Sequence, residues 1–457
     1  MIHFRSSHAR SRLPSRGSLA LLRFVLLALP GFASADDARA YRPWVIESSE
    51  AVRPAAPDPS QEADDAAAVR DALAGLDEGE RAEALFWDAG AANHRWVNAL
   101  LEHYRVGPPS PLKGRGLAML NVAVYDAVVA ADAAQRHFAR PRPDVTAILA
   151  ANGPHGYPSV RAAAAGAAAG VLAHLLPDEA AAFEAQAASA ARSRVDAGVS
   201  FPSDVDAGLT LGRAVAERVL ARVEDDGSDL EWQGSRPEGP GKLKGETFVH
   251  AAVGDWKPWV IDSPKAFLPD PPLAIDSDEM AAQLADLKAI ERTVPAAILA
   301  WSQHSVDSAY QVWYDRLAMS VFESGLDRDL PRAAFVYAAF ATANNDAMIA
   351  CFGAKYTWWM IRPAQLDESL DTLFPSPPHP SYPSAHSCSG STNARTLTHF
   401  FPGQAESLAA MADAGGHSRL VAGIHYPMDK VAGEKLGNAV ADSVLQTLER
   451  RLLGEGG

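Results

Sequence analysis

The sequence predicts an all-α protein made of two related helical bundles, with the reactive side chains gathered in the second. Two observations carry that prediction. Apolar residues recur three and four apart through long alanine-rich stretches such as "GLAMLNVAVYDAVVAADA" at 116–133, as on one face of a helix, while the alternation expected of strands is scarce. The chain also repeats itself. A shift of 225 residues lays Tyr157 to Gly212 on Tyr382 to Gly437 without a gap. A shift of 220 lays "DAVVAADAAQRHFARPRP" on "DAMIACFGAKYTWWMIRP", putting Asp126 on Asp346 and Arg142 on Arg362.

Taken in order, residues 1–35 hold five arginines and no acid, then the apolar run "FVLLALPGFA" and the small-residue site Ala33-Ser34-Ala35, the pattern of a cleavable signal peptide. A secreted or periplasmic location is expected, and cleavage would move the net charge from −15 to −20. Residues 36–65 are polar and proline-bearing and read as an extended arm. The first helical bundle follows at 66–224. Residues 225–276 change character: seven prolines from Pro237 to Pro272, frequent glycine, and Trp232, Trp256 and Trp259 mark an irregular connection whose tryptophans pack against something. Ser277 is an N-cap ahead of "DEMAAQLADLKAI" and opens the second bundle, 277–457.

The charge balance excludes some partners. An acidic mature chain repels polyphosphate at long range, so nucleic acid and anionic membrane surfaces are poor partners and small molecules are better ones. No segment after the leader reads as the roughly 18 uninterrupted apolar residues of a membrane helix, so no stable membrane insertion is expected once the leader is cleaved. Cys351 and Cys388 are the two cysteines, and an oxidising compartment permits either one bridge or two buried thiols. The oligomeric state leaves no signature.

The repeat directs attention to positions where the halves differ. Gln135 stands where the second half has Lys355, Arg161 where it has His386, and Ser200 where it has His425. Three clusters of the second half hold the retained groups: "KYTWWMIRP" with Lys355 and Arg362, "PSAH" with Ser384, Ala385 and His386, and "SRLVAGIHYPMD" with Arg419, His425 and Asp429. Lys355 and Arg362 are seven apart and share a face if the helix continues to the proline. A helix beginning after Pro383 would aim its first amides outward with partial positive charge. Asp429 follows His425 by four, and a carboxylate there can accept the imidazole N–H, fix the tautomer and make the other nitrogen a better nucleophile or metal ligand. Two guanidinium forks, an ammonium, a hydroxyl, amides and two histidines suit a tetrahedral oxyanion.

In this order, K-x6-R-P, P-S-x-H and S-R-x5-H-x3-D resemble the motifs of the superfamily that joins type 2 phosphatidic acid phosphatases with vanadium-dependent haloperoxidases. The duplicated helical halves are more similar to the haloperoxidase branch. That resemblance implies two four-helix bundles with the active site in the second, and vanadate as cofactor in a site phosphate can also occupy. It makes His425 the axial vanadium ligand, or the nucleophile that takes a phosphoryl group, and His386 the general acid-base. Lys355, Arg362 and Arg419 would neutralise the oxyanion, Ser384 and the Ala385 amide would complete the cradle, and Asp429 would orient His425. It also puts His379 near bound peroxide as a halide-tuning group, with Trp358 and Trp359 as pocket walls. Ala385 departs from the usual glycine of the "PSGH" turn and keeps the amide.

Three functions fit this inventory. The first is a haloperoxidase that uses hydrogen peroxide to oxidise halide to a hypohalous species. The second is an exported acid phosphatase that cleaves a phosphomonoester through a phosphohistidine. The third is a non-catalytic oxyanion-binding protein, disfavoured because the second half keeps every acid-base group a catalyst needs.

Overall fold

The computed structural model describes residues 41–105, 110–304 and 310–453; the expected signal peptide at 1–35 and the start of the arm lie outside them. Among the described residues the regular structure is helical, with fifteen α-helices and isolated bridges in place of strands. The first half contributes α1 (Glu62–Gly75), α2 (Glu78–Asp88), α3 (His94–Tyr104), α4 (Pro111–Phe138), α5 (Val160–Leu175), α6 (Ala180–Asp196) and α7 (Pro202–Glu224). The second contributes α8 (Asp278–Ala289), α9 (Val294–Ser302), α10 (Val312–Glu323), α11 (Leu330–Trp358), the single turn α12 (Pro363–Leu366), α13 (Ala385–Phe400), α14 (Ala405–Val421) and α15 (Pro427–Leu453).

Helices α4 to α7 pack as one bundle and α11, α13, α14 and α15 as the other, while α4 lies along α11 so that the two share one hydrophobic core. The described residues therefore form a single compact unit, and the two bundles share it. Within each bundle a glycine lets two helices touch backbone to backbone. A Cβ on Gly212 of α7 would lie 2.1 Å from the Ala163 carbonyl oxygen of α5, and one on Gly437 of α15 would lie 2.3 Å from that of Cys388 of α13. α4, although Asp126 interrupts its apolar run, is the described helix that comes nearest to a membrane span. It is long and apolar enough to cross a membrane, and burial of nine-tenths of its apolar stretch shows why: it runs through the core and meets other helices on every side.

The described part of the extended arm is held against α4. The Asp126 carboxylate, fully buried in α4, accepts the backbone N–H groups of Trp44 (2.6 Å), Val45 (2.8 Å) and Ile46 (3.1 Å). α1 begins at Glu62, four residues inside the expected arm. The connection does the same to the second half: Asp346 of α11 accepts the N–H groups of Trp259 (2.7 Å), Val260 (2.8 Å) and Ile261 (3.0 Å). Both segments read Pro-Trp-Val-Ile, at 43–46 and 258–261, a further likeness between the halves that helical periodicity does not reveal. Ser277 caps α8 as expected, its hydroxyl accepting from Met280 N–H at 3.1 Å. Cys351 and Cys388 are buried free thiols, so the permitted bridge is not formed.

Burial raises the Asp126 and Asp346 carboxyls to about 6, against the three amides that favour their charged forms. Asp126→Ala would leave three amides buried without acceptors, each costing about 1–3 kcal/mol. The variant is expected to lose on the order of 3 kcal/mol or more in urea unfolding, with protease cleavage appearing first near residues 44–46. Unchanged stability would show that the carboxylate does not hold this segment.

Candidate active site

Three chain reversals bring the site together. α14 ends at a glycine turn in which Ile424 N–H donates to Arg419 O (3.2 Å) and Gly423 N–H to Leu420 O (2.9 Å), the paired bonds that close a helix through a left-handed residue. Gly423 has φ 76°, and a Cβ there would lie 2.9 Å from the Asp371 carbonyl oxygen. The reversal delivers His425 just ahead of α15. Asp429, in the first turn of α15, then accepts from His425 Nδ1 (2.8 Å), Ser381 Oγ (2.5 Å) and Tyr426 N–H (3.1 Å) through one carboxylate oxygen. The imidazole proton is held on Nδ1, and the lone pair is on Nε2.

The second reversal starts α13. Ser384 is its N-cap and accepts from Ser387 N–H at 3.4 Å, while Ser384 N–H donates to Asp429 O at 2.9 Å, tying the start of α13 to that of α15. The third ends α11. Trp359 takes the left-handed conformation at φ 54° and its N–H donates to Lys355 O at 2.8 Å. Its ring is held among those of Trp232, Phe248 and Tyr356. Lys355 and Arg362 therefore do not share a helical face; the chain turns between them.

Both cations are fully buried and lie one layer behind the cavity wall. The Lys355 ammonium donates to the carbonyls of Pro380 (2.8 Å), Ser381 (3.0 Å) and Pro383 (2.6 Å), which engage all three of its protons. Arg362 donates through Nε to His379 O (2.9 Å), through Nη1 to Ile424 O (2.8 Å) and toward His425 Nε2 (3.1 Å), and through Nη2 to His379 Nδ1 (3.1 Å). Ser384 is likewise behind the wall, in its capping role. A buried ammonium or guanidinium requires acceptors, and the loop carbonyls supply them, while Arg362 Nη1 also lies beside the His425 nitrogen that faces away from Asp429.

The wall itself carries Ala385, His386, His379, Arg419 and His425, around a cavity of about 880 Å³. His386 Nε2 donates to Gln303 O at 2.9 Å. Arg419 donates through Nε to Ser418 Oγ (3.0 Å) and through Nη2 to Ala300 O (2.6 Å), and packs over the Phe374 ring. Its Nη1 makes no hydrogen bond among the described residues. Trp358 and Trp359 do not line the cavity: Trp359 packs in the aromatic cluster that fixes its turn, and Trp358 packs with Met360 and Tyr426. Sequence reasoning missed Ser381, which shares Asp429 with His425, and Gln303 and His304 at the end of α9. The His304 ring stacks on Phe374 at 3.9 Å between centroids, beside Arg419. Ser381 had a sequence signal, three residues before Ser384 in a proline-rich turn; the α9 residues had none.

Burial sets the charge state. It lowers Lys355 to about 8, Arg362 to about 10 and Arg419 to about 9, and raises Asp429 to about 6. Burial, then the neighbouring cations, holds His425 and His379 well below the ordinary imidazole value; burial, then Arg419, lowers His386 to about 3. At neutral pH the site thus holds three cations, neutral imidazoles and one carboxylate. Nε2 of His425, Nη1 of Arg419 and the first amides of α13 form a donor and ligand set for an oxyanion such as vanadate or phosphate, with Lys355 and Arg362 adding charge from behind.

Residues 334–452 match the family model described as the PAP2 superfamily. Among solved structures the chain is similar to a bacterial vanadium-dependent iodoperoxidase, with 20% identity and a TM-score of 0.60 over 78% of this chain and 95% of that one. It is also similar to the holo form of a bacterial vanadium-dependent chloroperoxidase, with 14% identity and a TM-score of 0.55 over 75% of this chain and 92% of that one. The apo form of such a chloroperoxidase gives 12% identity and a TM-score of 0.57 over 74% and 94%. At these identities the likeness is one of fold. No curated protein shows a significant sequence match.

The charge state has a measurable consequence. His386 is neutral in the free protein because of burial and Arg419, so an anion in the cavity cancels part of that field and raises its pKa. Sulfate does not titrate near neutrality, and its binding at pH 6 is expected to take up a fraction of a proton. The uptake is read as a binding enthalpy that varies with the ionisation enthalpy of the buffer. His386→Ala is expected to remove most of that uptake; equal uptake in the variant would refute the assignment.

Proposed function

We propose that this chain, whose residues 334–452 match the PAP2 superfamily and whose fold is shared with vanadium-dependent haloperoxidases, is an exported vanadate-dependent haloperoxidase. The observation that supports this reading most is the His425–Asp429 pair, with Nδ1 donating to the carboxylate at 2.8 Å and Nε2 lying 3.1 Å from Arg362 Nη1. Vanadate bound there would activate hydrogen peroxide for oxygen transfer to halide.

The chain's own residues do the rest. His425 would hold vanadium through Nε2, and Asp429 keeps that nitrogen unprotonated by taking the Nδ1 proton as a hydrogen bond. Arg419 faces the anion from the cavity wall, and Arg362 and Lys355 balance its charge at second hand. His386 starts neutral and gains basicity as the anion fills the site, so it can take a proton from an incoming peroxide and return it to the leaving oxygen. His379, held neutral against Arg362, borders the space halide would enter.

The same geometry supports a phosphatase. There His425 Nε2 would attack phosphorus, the P–O bond to the alcohol would break, and His386 would protonate the departing oxygen; water would then release phosphate from the phosphohistidine. The likeness over both halves to haloperoxidase structures favours the first reading.

Protein loaded with orthovanadate is expected to oxidise iodide or bromide in a peroxide-dependent assay, with little hydrolysis of p-nitrophenyl phosphate. His425→Ala is expected to lose vanadate binding by equilibrium dialysis. His386→Ala is expected to keep it and lose about 100- to 10,000-fold in turnover. Ester hydrolysis without halide oxidation would establish the phosphatase reading, and neither activity with vanadate bound would establish the non-catalytic one.

A further inference from the structure

The first half has the backbone frame of the active site with other side chains on it. α6 ends in the same glycine turn, with Gly198 at φ 76°, Val199 N–H on Arg194 O (3.0 Å) and Gly198 N–H on Val195 O (2.9 Å). Ser159 N–H donates to Asp204 O (2.8 Å) as Ser384 N–H does to Asp429 O. Arg142 Nη1 donates to Val199 O (2.7 Å) as Arg362 Nη1 does to Ile424 O, and Gln135 Nε2 donates to Pro158 O (2.8 Å) as Lys355 does to Pro383 O. Arg194 Nη2 donates to Ala84 O (2.8 Å) as Arg419 Nη2 does to Ala300 O. Arg161 Nη1 reaches Trp87 O (3.3 Å) as His386 Nε2 reaches Gln303 O. These pairs set Arg161, Arg194 and Ser200 in the places of His386, Arg419 and His425. They also set α2 in the place of α9, so Asp88 stands where the second half has His304.

At that one position the first half supplies a carboxylate. Asp88 Oδ1 lies 2.9 Å from Arg194 Nη1 and 3.5 Å from Arg161 Nε, and Oδ2 lies 3.4 Å from Arg328 Nη1. The Arg161 side chain is nine-tenths buried, and among the described residues its Nε makes no hydrogen bond and faces Asp88 as an ion pair. What remains among Arg142, Ser159, Arg161, Arg194 and Ser200 is a cavity of about 30 Å³. That is room for about one water.

We propose that the first half retains a cradle for a tetrahedral oxyanion and that the Asp88 carboxylate is its resident anion, closing it to free phosphate, sulfate or vanadate. The charge argument is direct. Two buried guanidiniums with a third at the rim need a counter-charge, and α2 inserts one covalently, at an effective concentration no dissolved anion matches. In the second half the neutral ring of His304 leaves the equivalent space to an external anion. The proposal rests on the geometry of the first half and is independent of which reaction the second half performs.

The test compares wild type with Asp88→Ala, using inorganic phosphate as the probe. Equilibrium dialysis is expected to show one more equivalent of phosphate per chain in the variant. Adding Arg194→Ala is expected to return the number to that of wild type. An unchanged number in folded Asp88→Ala overturns the proposal. If that variant cannot be isolated, Asp88→Ser keeps a small polar group and leaves room for the anion. Phosphate is then expected to raise its unfolding temperature more than that of wild type, and an equal rise in both overturns the proposal.

Discussion

Three cations, Lys355, Arg362 and Arg419, are buried in the second bundle with a single carboxylate, Asp429, in their midst, and the arrangement of the site follows from how that imbalance is managed. Taking each ion out of water carries a penalty of several kcal/mol. Backbone carbonyls meet part of it: three surround Lys355, two hold Arg362, and the end of α9 holds Arg419. Carbonyl dipoles solvate the cations without neutralising them. A net positive field persists in the cavity and, after burial itself, is the second reason that His379, His386 and His425 are neutral there. An oxyanion is the ligand that relieves both conditions at once.

The two halves show the same constraint met in two ways. The turns at Gly198 and Gly423, the left-handed caps at Ala139 and Trp359, and the amide triplets on Asp126 and Asp346 are alike. They are backbone devices, and any side-chain change that spares them leaves the fold intact. Gln135 keeps the donor role of Lys355 toward a proline carbonyl and drops its charge. Arg161 adds a charge that the neutral His386 does not carry, and Asp88 balances it within the chain. The first half carries its counter-ion within the chain, whereas the second has the His304 ring, stacked on Phe374, in the equivalent place.

The helical class and the His425–Asp429 geometry were legible in the sequence because each rests on local spacing, a period and an i,i+4 pair, whereas the second half stood out through the repeat and the family motifs. The layering of the site was not. Whether Lys355 meets an oxyanion or loop carbonyls depends on how residues 380–383 fold back over α11, a long-range contact with no periodic signature. Lys355 and Arg362 share a face only if the helix runs on to the proline, and it stops at Trp358 because the next tryptophan is held in the left-handed region by packing with Trp232 and Phe248, more than a hundred residues away. The same packing removes Trp359 from the cavity wall, and Trp358 packs instead with Met360 and Tyr426. The Pro-Trp-Val-Ile segments escaped notice because they are short and irregular, although two buried aspartates depend on them for partners.

The cavity adds the last physical element. Beyond the polar floor its wall is apolar, with Leu299, Trp313, Met348, Phe352 and Met411 among the residues that line it. Water held against such a wall screens poorly, so the field of the buried cations on an anion at the floor is stronger than it would be at an open surface. Removing that screening sharpens the difference between the empty and filled states. Empty, burial and the cationic field keep His386 from holding a proton; an anion at the floor would cancel part of that field and make the imidazole more basic. An acid-base role for His386 would therefore be conditional on occupancy.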